Sequence, residues 1–420
     1  MYTLKACLYL TLIALMTVAA IVSRNGCFLA LTIPVALVIG ISGVLGPASV
    51  EVEASREISS KRILAGEDVK VKIKVVNRGN NAQLLEVSDG VPGAASPRGA
   101  SKACVYAKPG EASDFEYYLK FDIRGYYEVG PLEVASTDPL SLFTAKVKVL
   151  GKEEIVVFPK FEDIRGLWLR PKRTAVWPGS IPSKRSGRGT EFYGIREYVT
   201  GDELRRINWK ASARLNRLVS NEFEEERVTD VLIVVDASGK RVLGSLVNEI
   251  VEAEVSAAAS IALYLLKMGN RVGLVARGSS SQWIKPDFGR RQFLRILYYL
   301  AGLEGGEGAP NLSYILHTLA PYLLRPEAQI ILITPLLEKD VLRAVEELSR
   351  EYMLIVLSPN PFCGERGEGV KKVALKIFEV ERGNLILRLS RICTVIDWDP
   401  TSPLTPYLRR AKLHRVRVAR

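Results

Sequence analysis

The 420-residue chain has only two histidines, His317 and His414, which leaves little for histidine-based catalysis or metal binding. Its five cysteines, Cys7, Cys27, Cys104, Cys363 and Cys393, form no CxxC, and two of them fall in apolar runs. An odd count without paired spacing argues against a disulfide framework or a zinc site and fits a reducing compartment. No GxSxG, Walker A, HExxH or GxGxxG arrangement occurs, so hydrolase, nucleotide-binding and dehydrogenase readings lack a motif. Positive charge, by contrast, is abundant. Fifty-eight Lys and Arg against 46 Asp and Glu give a formal charge of +12. Anionic partners are therefore in play: nucleic acid, anionic lipid or an acidic protein face.

Four segments follow from the order of the chain. Leu4 to Val22 and Cys27 to Leu45 are apolar runs, separated by Ser23-Arg24-Asn25-Gly26. Each is about the 20 residues a bilayer-spanning helix needs, so residues 1–47 read as a transmembrane hairpin. Pro34 is tolerable in lipid. A cleaved signal peptide is the competing reading, because Val18-Ala19-Ala20 resembles a cleavage site. The second full span directly after it favours the hairpin. Lys5 and the trio Arg56, Lys61 and Arg62 flank the hairpin on one side and Arg24 alone lies in the turn. The positive-inside rule then places both ends, and the soluble domains, in the cytoplasm.

Residues 50–150 change to a period of two: Val69, Val71, Ile73 and Val75 alternate with lysines, and Phe115, Tyr117, Leu119 and Phe121 alternate likewise. Turn signals at Asn77-Arg78-Gly79-Asn80 and Lys108-Pro109-Gly110-Glu111 complete the pattern of a β-sandwich. Residues 151–188, rich in Arg, Lys, Pro, Gly and Ser, read as a basic linker. From Val231 onward, apolar strands alternate with helical stretches up to Thr394–Trp398, which implies a doubly wound, mostly parallel α/β sheet. A basic tail follows Leu404. The linker and tail can attract lipid or nucleic acid, but no nucleic-acid module is present, so nucleic acid is not expected.

The densest stretch is Gly189–Arg214, GTEFYGIREYVTGDELRRINWKASAR. Glu191, Glu197, Asp202 and Glu203 interleave with Arg196, Arg205, Arg206, Lys210 and Arg214, and Phe192, Tyr198 and Trp209 sit among them. Carboxylates so placed can act as general acids or bases, yet ion pairing with five basic residues explains them more simply. Gly201-Asp202 reads as a turn in which Asp202 caps a helix starting at Glu203. This platform is expected to pair its arginines, Arg196, Arg206 and Arg214 included, with carboxylates.

At the end of the first α/β strand stands Asp236-Ala237-Ser238-Gly239-Lys240. It resembles the DxSxS metal loop of von Willebrand factor A domains, with Lys240 in place of the last Ser. Pro310 stands where that family's later loop has Thr, and Thr334-Pro335 where Thr-Asp is frequent. Mg²⁺ requires near-octahedral oxygen ligation, so the metal site at Asp236, Ser238 and Lys240 is read as degenerate and no cofactor is expected. Lys240 either supplies the counter-charge that a buried Asp236 needs or points to solvent.

With these residues in view, the sequence resembles the domain of unknown function 58 family. Arg124-Gly125-Tyr126-Tyr127-Glu128-Val129-Gly130-Pro131 with Asp138-Pro139-Leu140-Ser141-Leu142-Phe143 is similar to its RGxYxxGP…DPxGLF pattern, Ser141 standing for the usual Gly. The platform resembles its GxEFxxxREYxxGDxxRxIxWKASAR signature, and Asp397-Trp398-Asp399-Pro400 its closing segment. The resemblance implies a multidomain membrane protein: a transmembrane hairpin, an all-β sandwich, and a von Willebrand factor A-like α/β domain over 189–420. It also implies a partner, a MoxR-type AAA+ ATPase, and a non-enzymatic adaptor role in protein assembly or maturation. The alternatives are an enzyme using the platform carboxylates and a lipid- or nucleic-acid-binding module.

Overall fold

The computed structural model describes residues 3–44, 50–80, 82–138, 140–164, 181–227, 230–237, 247–279, 281–306, 312–324, 328–337, 340–361 and 370–410, with the backbone course alone at 83, 181–193, 223–227, 247–248, 315, 340 and 370–375. It divides into two units, 1–158 and 159–420.

The first unit begins with helices α1 (Leu4–Ser23) and α2 (Cys27–Val44), both long and apolar enough to cross a membrane. Eleven strands follow: β1 (Val52–Ile58), β2 (Arg62–Leu64), β3 (Asp68–Asn77), β4 (Gln83–Asp89), β5 (Ala95–Arg98), β6 (Lys102–Ala107), β7 (Ala112–Phe121), β8 (Gly125–Val129), β9 (Leu132–Thr137), β10 (Thr144–Leu150) and β11 (Glu153–Phe158). They make two four-stranded sheets, β1-β3-β7-β5 and β10-β9-β4-β6, and a three-stranded sheet, β2-β11-β8. Val69, Val71, Ile73 and Val75 are all buried in one core with Leu85, Val87, Leu119 and Phe121. The period of two thus marks the inward face, as strand geometry requires.

The expected linker over 151–188 is shorter at both ends. Ile155 to Phe158 belongs to β11, which pairs with β2 and β8 and buries its apolar run in the sandwich core. A further strand begins at Ile181. Residues 165–180 lie outside the described part.

Two buried polar knots explain the motifs of this unit. Arg56 pairs with Asp89, both side chains fully buried, and Tyr117 donates to Asp89 at 2.6 Å. Gly130 (φ +104) brings its backbone against this pair: a Cβ there would stand 2.7 Å from Arg56 Nη2. The second knot is Asp138. Its Oδ1 accepts from the N–H groups of Leu142 (2.7 Å) and Phe143 (2.6 Å), and its Oδ2 from Leu140 N (3.0 Å) and the Ser42 hydroxyl at the end of α2. Thr3, which caps α1, bonds the same turn through its hydroxyl to Ser141 O (2.7 Å) and its N–H to Leu142 O (3.0 Å). Both outer ends of the hairpin are therefore tied to residues 138–143.

Burial alone would raise the Asp138 pKa. The Phe143 N–H, the Ser42 hydroxyl and the Leu140 and Leu142 N–H groups outweigh it and hold the carboxyl below its ordinary 3.8. A depressed folded pKa gives stability that is complete above that value and lost as pH falls through the folded one. Asp138→Asn is expected to flatten the acid limb of a melting-temperature profile between about pH 5 and pH 2; a limb as steep as wild type would refute this.

Ser141 adopts φ +58, where glycine is more at ease. Left-handed backbone costs a side-chain-bearing residue about 1–2 kcal/mol, and the extra freedom of Gly when unfolded offsets part of that. Ser141→Gly should accordingly raise stability by up to about 1 kcal/mol in urea unfolding.

The second unit carries β12 (Ile181–Glu197), a 3₁₀ turn (Leu204–Arg206), α3 (Trp209–Leu215) and β13 (Val219–Arg227), then β14 (Asp230–Asp236), α4 (Val247–Lys267), β15 (Arg271–Arg277), β16 (Ser281–Asp287), α5 (Gly289–Ala301), α6 (Leu312–Leu323), β17 (Gln329–Ile333), α7 (Asp340–Leu348), β18 (Met353–Pro359), α8 (Val370–Leu389), β19 (Thr394–Trp398) and α9 (Leu404–Arg410). Strands β12 and β13 pair with each other; six strands form a sheet in the order β16-β15-β14-β17-β18-β19. All pairs in it are parallel except β15–β16, so the sheet is mixed. Leu232 and Val234 of β14 share one core with Leu316 of α6 and Val345 of α7. Val231, Ile233 and Val235 point to the opposite face and are equally buried. Burial on both faces is why these strands read as unbroken apolar runs.

Candidate functional site

The signature segment forms the β12–β13 hairpin and its connection. Arg196 sits opposite Ser220, and Glu197 opposite Val219. Arg196 reaches Asp202 at 2.7 Å and Glu222 at 2.9 Å, so one guanidinium joins both strands and the turn. Asp202 does not cap a helix. Its Oδ2 accepts from Val199 N at 3.1 Å and closes the turn around Gly201, while the helix α3 begins seven residues later and is capped by Asn208, whose Oδ1 accepts from Ala211 N at 3.0 Å. Asp202 lies below its ordinary pKa, first through the Arg196 hydrogen bond and then through the Val199 N–H.

Glu203 takes Arg205 at 2.5 Å and Arg206 at 3.6 Å, and Glu197 pairs with Arg217. Exposed pairs of this kind contribute roughly 0–1 kcal/mol each; they fix shape more than stability. The expected pairing thus holds for Arg196 and Arg206. Arg214, exposed on α3, and Lys210 have no partner among the described carboxylates; the side chains of Glu191 and of residues 223–227 lie outside the described part. Tyr198 donates its N–H to Leu218 O at 2.9 Å and knits the strands. Trp209 is 66% exposed. Glu191 and Phe192 lie in β12, their side chains outside the described part.

The second site is the carboxyl edge of the six-stranded sheet. Asp236, 3% exposed, ends β14 directly opposite Arg277 of β15. Arg277 Nη1 donates to Asp236 Oδ1 at 3.0 Å and the Thr334 hydroxyl to Oδ2 at 3.1 Å. Chain 304–306 closes over this end: Ser279 N bonds Glu304 O at 3.0 Å, and Gly306 N bonds Ala237 O at 3.1 Å. The approach requires Gly278, where a Cβ would lie 2.3 Å from Glu304 O.

The counter-charge of Asp236 is thus Arg277, which the sequence reading did not single out. Its signal was present: an arginine closing an apolar strand run beside the strand that ends in Asp236. Ser238 and Lys240 lie outside the described residues. Both Asp236 oxygens are engaged and a guanidinium stands 3.0 Å from one of them. A divalent cation there would meet a fixed positive charge, so this set does not fit Mg²⁺.

Further along the same edge, Arg382 of α8, 5% exposed, donates to Asp397 of β19 at 2.6 Å, to Ser358 Oγ of β18 at 2.8 Å and to Pro335 O at 3.3 Å. Thr334 and Pro335 are consecutive, so the two arginine knots meet in one short turn, in which Leu336 has φ +57. Beside that turn opens a cleft of about 280 Å³ lined by Leu336, Leu342, Phe378, Glu381, Leu385 and Arg388. Sequence reasoning missed this cleft and Arg382, because neither carries a local motif.

Residues 194–360, which include Arg196 to Arg214, Asp236, Arg277 and Thr334, match the family described as "Protein of unknown function DUF58". The chain carries a DUF58 region. The "Uncharacterized protein YeaD" of Bacillus subtilis is 24% identical over 247 residues, covering 59% of this chain and 60% of that protein. The "Uncharacterized protein Rv1480" of Mycobacterium tuberculosis is 31% identical over 126 residues, 30% of this chain and 40% of that one. The chain therefore matches 40–60% of the length of these relatives. Among solved structures, a FixG-related protein from Vibrio parahaemolyticus covers 25% of this chain and 95% of its own, at 16% identity and a TM-score of 0.18, which assigns no fold.

In the DUF58 region, Arg277→Ala should cost about 3–5 kcal/mol in urea unfolding, because it leaves Asp236 buried without this partner. A loss under about 1 kcal/mol would show that the pair does not hold the edge. Equilibrium dialysis of the wild-type chain with Mg²⁺ should show no stoichiometric binding that Asp236→Ala removes.

Proposed function

We propose that this is a membrane-anchored, non-enzymatic protein-interaction component with a von Willebrand factor A-like α/β domain on the cytoplasmic side. The order of its parallel strands and the polar knots at their carboxyl edge support that reading of the fold. The observation that carries the functional reading is the surface of α8. Ile377, Val380 and Leu387 are 56%, 55% and 65% exposed. At helical spacing they form a stripe, and the adjacent stripe of Phe378, Glu381, Leu385 and Arg388 lines the cleft. A helix with an apolar face beside an open, charge-rimmed cleft suits a protein partner that lays an amphipathic element along it. The partner that the family resemblance implies is a MoxR-type AAA+ ATPase, with the present chain as its adaptor at the membrane.

Catalysis by the platform carboxylates is the weaker reading. Glu197, Asp202 and Glu203 are each engaged by an arginine. The basic linker and tail lie largely outside the described residues and lend no geometry to nucleic-acid binding.

The double substitution Val380→Asp with Leu387→Asp should reduce binding of a purified MoxR-type ATPase to the detergent-solubilised full chain at least tenfold, with the circular dichroism spectrum unchanged. Wild-type affinity with intact fold would overturn the docking role of α8.

A further inference from the structure

The signature hairpin presents a second unusual surface. Val199, Leu204, Trp209, Leu215 and Leu218 are 60%, 69%, 66%, 48% and 47% exposed within a stretch of 20 residues. Only Ser212 of α3 is buried, its hydroxyl accepting from Val219 N at 3.0 Å, so the helix is held to β13 along one line and shows the rest of its circumference. Lys210 and Arg214 follow at i and i+4 and share one side of that helix, which ends before Arg217, at Asn216 with φ +50. Beside them Trp209 and Ala213 form the neighbouring ridge.

Charge is distributed unevenly here. On the strand side each arginine is matched: Arg196 by Asp202 and Glu222, Arg206 by Glu203. Arg217 leans back to Glu197. On α3 itself there is no acid, and Lys210 and Arg214 pair with no described carboxylate. An exposed indole and exposed leucines thus occur in a stretch whose helix carries two basic side chains, Lys210 and Arg214, and no acid.

We infer that this α3 face docks on the anionic headgroups of the bilayer in which the chain is anchored. The inference rests on the membrane-anchor reading of α1 and α2, and it concerns a different surface from the α8 stripe. Tryptophan settles at the headgroup level, where its ring is in apolar surroundings and its N–H stays wet. Lysine and arginine extend apolar stems while keeping their charge among phosphates. Each basic residue near an anionic leaflet gives roughly a fivefold preference for the docked state. A hairpin in the same chain keeps that surface always at hand, so a weak face suffices. An acidic protein is the other class of partner for such charge. The strand-side pairs already neutralise the charges that would steer it.

The test uses the full chain reconstituted into vesicles. The chain's tryptophans are Trp168, Trp177, Trp209, Trp283 and Trp398, so the difference between wild type and Trp209→Phe isolates one indole. Emission is read in vesicles of brominated phosphatidylcholine with and without phosphatidylglycerol. The expected result is a Trp209 component quenched at least twofold more strongly in the anionic vesicles. It should fall to the zwitterionic level in 1 M salt, where the Debye length is about 3 Å, and in Lys210→Glu with Arg214→Glu. Equal quenching in both lipids, or none in either while the protein still floats with the vesicles, overturns the docking and leaves the face to an acidic protein. Failure of the wild-type chain to float with vesicles in high salt overturns the anchor reading, and the docking with it.

Discussion

A carboxylate at the end of a buried strand has lost its water, and it persists only where another group supplies charge or hydrogen bonds. Asp236 meets that demand with Arg277, the last residue of β15, and Thr334, the residue directly after β17. This single requirement ties β14 to β15 and β17 at their carboxyl ends, brings the 304–306 chain over them, and sets the turn at Thr334-Pro335. That turn in turn gives Arg382 its carbonyl partner. The floor on which α8 and its cleft rest is thus organised by buried charge, beneath a layer of apolar packing that supplies most of the stability.

The same constraint recurs in the first unit. Asp89 with Arg56 and Tyr117 holds the sandwich around Gly130. Asp138, surrounded by three N–H groups and the Ser42 hydroxyl, joins the end of α2 to the turn that also receives Thr3. The two halves of the RGxYxxGP…DPxGLF pattern therefore have separate physical tasks: one accommodates a buried ion pair, the other anchors the helical hairpin to the sandwich.

The two surfaces left open differ in kind. The α8 stripe is apolar beside a cleft, whereas the α3 face sets an exposed indole beside Lys210 and Arg214. On the proposed readings, the second surface sets the pose of the chain on a bilayer and the first engages another protein. The ion pairs of the signature join the two strands of the β12–β13 hairpin to its turn.

Much of this architecture was readable from local pattern. Apolar runs of bilayer length, the period of two at Val69–Val75 and the two-face burial of Val231–Val235 each reflect a local geometry that leaves a mark in nearby residues. The DUF58 signature was legible for the same reason. What the sequence left open depended on contacts between distant residues. Ile155–Phe158 became a strand because β2 and β8 were there to pair with it. Asp202 closed a turn because Arg196 lay within reach. Arg277 meets Asp236 because parallel register sets it opposite, 41 residues away in the chain. Spacing along the chain encodes which face a side chain shows. Which charge it meets is decided only when strands far apart in sequence align.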